Sequence, residues 1–299
     1  MKQRPVLAGI GEVLWDVYPD AARFGGAPAN FACHAAALGA DAVLISSVGV
    51  DELGDRALET LSRHWVDSNC VARDSDHATG QVNVTLDATG RANYVFADNS
   101  AWDHLRWSES VESIARQADA VCFGTLAQRS RVSRDLIRRF VELTPAGTLR
   151  MFDVNLRQNF YDADVIDASL KLATAVKLNE EELPIVARLC GVMGVNARGM
   201  LRGLVERYEL WIAALTCGAE GALLMTADQE SRCPALPTTV VDTVGAGDSF
   251  TATLVMDCLH GVPLGEINQH ANAVASFICS QAGAVAPLPP ELLSPTRSP

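Results

Sequence analysis

Apolar positions near the start of the chain fall into a short unbroken run, Val6–Gly11, with the length of a buried strand. Residues 13–18 alternate weakly, as a short exposed strand does. Gly25-Gly26-Ala27-Pro28 marks a tight turn, and the Ala-rich stretch Ala29–Leu38 reads as a helix closed by Gly39. Ala42–Val48 is a second continuous β run, and Asp51 stands as the N-cap of a helix across Leu53–Trp65. The rhythm then breaks. Gln81–Leu86 and Arg91–Ala97 alternate and are joined by Asp87-Ala-Thr-Gly90, a hairpin signal. From Ala118 strands and helices alternate again: strand 119–124, helix 131–143, strand 148–153, a helix near 163–174, strand 175–179, then helices across 180–190 and 197–207. Leu210–Thr216 is a strand, Cys217–Gly221 a turn and Ala222–Thr226 another strand. A β-rich run at Thr238–Val241 precedes two helices, 247–260 and 264–281.

Strands alternating with helices predict an α/β fold with a mostly parallel sheet covered on both faces. The two alternating excursions, about 12–27 and 79–104, predict a small separate β lid on a single domain spanning 1–299. Five of the thirteen prolines crowd into 287–299, which reads as a flexible tail.

Charge removes several function classes. The net charge is −12, the wrong sign for a general nucleic-acid or anionic-membrane binder. The one basic cluster, Arg129, Arg131, Arg134, Arg138 and Arg139, has the spacing of a solvated helix flank. Eight cysteines include no CxxC pair, so zinc is disfavoured, and reduced thiols in a cytoplasmic protein are expected. The apolar run at the N-terminus is too short for a secretory core, and no stretch reaches the length of a membrane helix.

Residues 242–250, Asp-Thr-Val-Gly-Ala-Gly-Asp-Ser-Phe, put a small-residue turn at a helix N-terminus, with a carboxylate in the first turn. Unpaired amides and the positive end of the helix dipole suit an anionic oxygen. A carboxylate there makes sense if Asp248 takes a proton from an alcohol that attacks a phosphoryl group; helix capping is the plainer alternative. The common phosphate loops are absent. No GxxxxGK[ST] occurs, and Gly9-Ile-Gly11 would need a glycine where Leu14 stands, which disfavours a Rossmann dehydrogenase.

Asp242–Phe250 resembles the C-terminal signature of the PfkB (ribokinase-like) carbohydrate kinases. Gly25-Gly26-Ala-Pro28-Ala-Asn30-Phe-Ala32 resembles their N-terminal signature, Asn179-Glu-Glu-Glu182 their NxxE motif, and Thr216-Cys-Gly218-Ala-Glu-Gly221 their nucleotide-side turn. The resemblance implies a ribokinase-like fold and an ATP-dependent sugar kinase. Asp248 would be the general base, with Gly245, Ala246 and Gly247 forming the anion hole. Asp16, Gly25, Gly26 and Asn30 would hold the sugar, with Gln128 and Arg129 as further candidates. Asp153-Val-Asn155-Leu-Arg157 is similar to a segment of the fructokinase-like branch, where Arg157 would face phosphate or substrate; a structural bridge to Asp153 is the alternative. Asn179 and Glu182 would organise Mg²⁺, partly through water, and Thr216, Gly218, Gly221 and Asn272 would line the ATP site. Asp242 and the Gly283 region match a monovalent-cation (K⁺) site of many relatives, although Pro287 replaces a hydroxyl residue that often completes it.

Gly11-Glu12 before Asp16, Thr85–Gly90, Ala101–Leu105 and Gly124–Arg129 also resemble bacterial fructokinases. D-Fructose, phosphorylated at its 6-hydroxyl, is therefore the expected substrate. Ribokinase and 2-keto-3-deoxygluconate kinase are the alternatives within the fold, and a non-catalytic sugar or nucleotide sensor is the alternative outside enzymes. Expected partners are the sugar and ATP, with neither nucleic acid nor membrane. A homodimer could form through exposed lid edges.

Overall fold

A computed structural model of the chain describes residues 4–86 and 92–294. In chain order its strands are β1 (Val6–Ile10), β2 (Leu14–Val17), β3 (Ala22–Gly25), β4 (Asp41–Gly49), β5 (Val71–Asp74), β6 (Gly80–Leu86) and β7 (Ala92–Phe96). There follow β8 (Ala120–Phe123), β9 (Leu149–Asp153), β10 (Ala175–Asn179), β11 (Ile212–Thr216), β12 (Ala222–Met225) and β13 (Glu230–Cys233). The helices are α1 (Ala27–Ala37), α2 (Glu52–Arg63), α3 (Glu109–Gln117), α4 (Arg131–Leu143), α5 (Ala163–Leu172), α6 (Glu182–Leu189), α7 (Ala197–Tyr208), α8 (Ala246–Leu259) and α9 (Leu264–Cys279).

The main sheet has the order β13-β12-β11-β10-β9-β8-β1-β4-β5. Its strands run parallel except at β11–β12 and β12–β13. Apolar residues occupy both faces because helices cover both. Ala8, Ile10, Phe123, Phe152, Val176 and Leu178 pack with α3–α7 on one side. Leu7, Ala120, Met151 and Ala175 pack with α1, α8 and α9 on the other. Since successive side chains alternate, this register turns Asp153 and Lys177 toward α8. Buried all round at 249–257, α8 is a core helix rather than an amphipathic one.

The chain leaves β1 through Gly11 and Glu12 and enters a second sheet, β3-β2-β6-β7, which is the predicted lid. The hairpin turn expected at 87–90 lies outside the described residues.

Several elements match their sequence pattern closely. Helix α4 spans the predicted 131–143, and Asp51 caps α2 by accepting from the Gly54 amide at 2.7 Å. Strands β3, β5 and β13 and helix α3 go beyond the sequence reading. A cap signal for α3 was present: Ser108 accepts from the Val111 amide, and Val111, Ile114 and Ala115 have helical spacing. The run Thr238–Val241 forms no strand; Val240 and Val241 are exposed, and Pro234 and Pro237 interrupt the backbone donors ahead of it. In the tail, Pro290–Leu292 forms a 3-10 turn, and the Leu292 carbonyl lies 3.0 Å from His270 Nε2. All eight cysteines are free. Among the described residues no helix is long and apolar enough to cross a membrane.

Candidate active site

A cavity of about 1570 Å³ opens at the C-terminal ends of the parallel strands, where ligand sites form in open α/β sheets. Its walls include Glu12 beyond β1, Asn155–Gln158 beyond β9, Asn179 at the end of β10, Thr216 at the end of β11 and the first turn of α8. Lid residues Leu14, Asp16, Val82 and Phe96 close one end, and Ala235–Thr238 with one face of α9 close the other.

The turn before α8 leaves backbone amides unpaired, an arrangement that suits an anion. Gly245 is its N-cap at φ 79°, a conformation that favours glycine. A Cβ on Gly245 would lie 2.1 Å from the Ala284 carbonyl oxygen. The amides of Gly245, Gly247 and Asp248 have no acceptor among the described residues, and Ala246 makes only a 3.4 Å bond to the Thr243 carbonyl. A Cβ on Gly247 would stand 2.8 Å from Lys177 Nζ, so an ammonium borders the same turn.

Asp248 lines the cavity and accepts from Asn30 Nδ2 at 2.8 Å. Burial, followed by the negative charge of Asp153, pushes its carboxyl up to about 6, against the opposing pull of Lys177, Asn30 and Arg157. That is toward the range in which a general base works best at neutral pH.

On the lid side, Asp16 and Arg157 both line the cavity. Burial pushes the Asp16 carboxyl up, with Arg157 pulling the other way. Arg157 is held on a loop pinned by two bonds: the Leu156 amide to Glu182 Oε1 at 2.8 Å, and Thr125 Oγ1 to the Val154 carbonyl at 2.8 Å. Gly26 has φ 106°, and a Cβ there would lie 2.5 Å from the Glu12 carbonyl oxygen. The chain itself therefore excludes a side chain at this position. Asn30, 3% exposed, keeps a buried Oδ1 without a partner.

Behind the anion turn, Lys177 donates to Asp153 Oδ1 at 3.0 Å, and Thr251 Oγ1 donates to Asp153 Oδ2 at 2.8 Å. This network ties β9 and β10 to α8. Burial opposes the charge on Lys177, but Asp153, Glu182 and Asp248 together raise its pKa, so it stays an ammonium. Arg157 is thus not the cation that bridges Asp153.

At the end away from the lid, Thr216, Gly218, Gly221 and Asn272 all line the cavity. Gly221, at φ 92°, could not carry a Cβ, which would meet the Cys233 carbonyl oxygen at 2.0 Å. Asn272 shares its face of α9 with Ala275, Ser276 and Cys279, and its amide donates to the Asn268 carbonyl. Asn179, Glu180 and Glu181 reach the cavity, but Glu182 does not line it. Both Glu182 oxygens accept backbone amides, from Leu156 and Asn179, each at 2.8 Å. Glu182 therefore organises two strand ends and could act on Mg²⁺ only from behind a water. No cluster of three or more metal-ligating side chains exists among the described residues. A Mg²⁺ that arrives on ATP phosphates and keeps its waters needs none.

Asp242 sits beside the Gly283 region, as predicted, but its oxygens face donors. Oδ2 accepts from Arg23 Nη1 at 3.0 Å and the Gly283 amide at 3.2 Å, and Oδ1 from the Val244 amide at 3.1 Å. Arg23 and a monovalent cation would compete for the same oxygen.

Five candidates fall outside the cavity: Glu182, Asp242 and Gly283, whose contacts are given above, and Gln128 and Arg129. Gln128 is 1% exposed and donates to the Gly124 carbonyl and Ser169 Oγ. Arg129 forms a two-pronged pair with Asp103 and lies over the Trp102 ring, which removes it from the solvated basic flank as well. Gln128 thus ties the segment after β8 to α5, and Arg129, which also donates to the Ala97 carbonyl, supports the lid connection. Two residues to which the sequence reading gave no role, Glu12 and Lys177, do line the cavity.

A family model described as pfkB family carbohydrate kinase matches residues 21–291. A fructokinase of Klebsiella pneumoniae is 33% identical over 267 residues, covering 85% of this chain and 85% of that protein. An aminoimidazole riboside kinase of Salmonella typhimurium is 27% identical over 296 residues, covering 94% and 91%. The structure of a sugar kinase from Pyrococcus horikoshii in complex with ATP superposes with a TM-score of 0.78 at 29% identity, covering 93% of each chain.

Proposed function

The chain belongs to the pfkB family of carbohydrate kinases, and from that membership we propose that it phosphorylates the 6-hydroxyl of D-fructose with ATP. The observation that carries this reading is the 2.8 Å bond from Asn30 to Asp248 at the mouth of the anion turn. It supports a reading in which a base stands beside a polyol-binding amide where a γ-phosphoryl would meet a hydroxyl.

Asp248 takes the hydroxyl proton as the sugar oxygen attacks γ-phosphorus, and the bond to the ADP oxygen breaks. The amides of the Gly245–Gly247 turn and the helix dipole hold the charge on the transferring group. Asp16, Gly25, Gly26 and Asn30 orient the sugar, and Arg157 faces both substrates across the cavity. Thr216, Gly218, Gly221 and Asn272 hold ATP. Asn179, with Glu182 behind it, would order the waters of a Mg²⁺ brought by ATP, and that ion would supply neutralisation of phosphate charge. The fructokinase relative supports fructose. The apolar wall of Leu14, Val82, Phe96 and Leu126 favours keeping a riboside as the second candidate.

An ADP-release assay over a panel of fructose, ribose, 2-keto-3-deoxygluconate and aminoimidazole riboside tests the substrate. Fructose is expected to give the highest kcat/KM, and no turnover with it would sink the assignment. Run in parallel in K⁺ and in tetramethylammonium, the assay should give equal rates if Arg23 serves Asp242; a large K⁺ response would return the cation site to the proposal.

The eight free thiols support the cytoplasm as the compartment. A dimer through the lid is part of the proposal because β3 and β7 are edge strands. A solution mass of one chain would remove it.

A further inference from the structure

Glu12 carries an oxygen that the fold leaves unanswered. The residue lies two positions past the end of β1, at the crossing into the lid, and is 2% exposed. Glu12, Leu14 and Asp16 alternate onto one side of the chain, and all three line the cavity. Val13 and Trp15 turn the other way, into the core between α1, α2 and β4. The Glu12 carboxyl is near the amide of Ala27, the first residue of α1, and feels the charges of Asp248 and Arg157. Yet Oε2 is buried with no hydrogen-bond partner.

A structural acid at a helix start satisfies itself with the amides there. Leaving one carboxyl oxygen buried and unmatched costs about 1–3 kcal/mol or more, and native folds seldom do so without a reason. The second unmatched atom nearby is Asn30 Oδ1, on the first turn of α1. Two buried acceptors without donors line the same wall of a cavity that also holds Asp16 and Asp248. Their missing partners have the chemistry of a polyol, with several O–H groups in fixed spacing.

We infer that Glu12 is a specificity-determining residue whose free Oε2 hydrogen-bonds a hydroxyl of the sugar other than the one that is phosphorylated. The inference rests on the sugar-kinase reading above. Burial, above all, raises the Glu12 carboxyl to about 7, so near neutrality both forms exist. A hydroxyl can serve either, donating to the anion or accepting from the acid. Such a contact also rejects sugars that lack the hydroxyl or present it with the other configuration, because the carboxyl is then left buried and unmatched.

The test measures kcat and both KM values for Glu12→Gln and Glu12→Ala, on the accepted sugar and on its monodeoxy analogues, with unfolding midpoints recorded alongside. Glu12→Ala should lower kcat/KM for the sugar by about 10–100-fold, the scale of one hydrogen bond to a charged group, with KM for ATP unchanged. Glu12→Gln, which keeps the shape, should lose less. On one deoxy sugar the wild type and Glu12→Ala should become equal, since the contact is already missing. An equal penalty on every analogue, or a parallel rise in the ATP KM, would overturn the inference and leave Glu12 a support for α1. A wild-type chain that phosphorylates no sugar overturns the kinase reading itself. Normal wild-type turnover with unaffected Glu12 variants overturns this inference alone.

Discussion

Asp248→Asn is expected to lower kcat by about 10²–10⁴ with little change in either KM, and to raise the melting temperature. The first effect follows from the proposed role of Asp248 as acceptor of the sugar proton. Asparagine keeps the shape and can still accept from Asn30, so substrate binding persists. The second follows from the sign of the pKa shift. The folded chain holds this carboxyl near 6, above its ordinary 3.8, chiefly by burial. The ionised form is therefore disfavoured by folding, fully so above about pH 6, and the penalty fades as pH falls toward 3.8. A neutral amide never bears that penalty, so removing the charge stabilises while it inactivates, a trade often seen at active sites. The same shift predicts the pH profile. The base works ionised, so wild-type kcat/KM should fall about tenfold per pH unit below roughly 6. Because Glu12 titrates nearby, that limb belongs to the pair rather than to Asp248 alone. Steady-state kinetics across pH and a thermal melt check all three points. A variant with near-normal kcat refutes the base role, and one with low kcat and a lower melting temperature points to damage instead of chemistry.

Much of this site was readable before the fold was known, and the reason is local. The turn at 242–250 owes its conformation to its own glycines, and Gly245 at φ 79° needs no distant residue to explain why it is glycine. Helix α4 was legible end to end because a surface helix writes its apolar spacing into consecutive residues. Where meaning depends on a partner far along the chain, the sequence was silent. Strand β5 exists because it pairs with β4, and its four residues carry little apolar signal of their own. Glu182 sits in a metal-like motif, but only the three-dimensional arrangement reveals that backbone amides occupy both its oxygens. Arg129 looked solvated until Asp103 and Trp102 were brought to it. Lys177 is a single charge within an apolar strand pattern that nothing adjacent marks, and Glu12 stood only in a segment of family resemblance, with no role attached. Their significance comes from what α1 and α8 deliver to them.

Lys177→Met is the substitution expected to cost most stability, about 3–5 kcal/mol. Lys177 and Asp153 are 7% and 3% exposed, and their bond at 3.0 Å crosses between adjacent strands on the α8 face. Methionine fits the space but leaves Asp153 a buried carboxylate with only Thr251 to answer it. The penalty is mostly that of the stranded partner, which makes a clear further prediction. Asp153→Leu combined with Lys177→Met removes both charges and should recover most of the lost stability, since replacing a whole buried pair with apolar groups is often neutral. Turnover should not recover with it. The ammonium beside Gly247 contributes to the field at the anion turn, and no apolar residue replaces that. In the single variant, losing a cation that favours ionised Asp248 should move the acid limb of kcat/KM above pH 6. Urea unfolding of the two variants, with kcat measured on each, separates the roles. Stability and activity restored together in the double variant would make the pair purely structural. Stability restored with activity still low makes Lys177 part of the machinery that receives the phosphoryl charge.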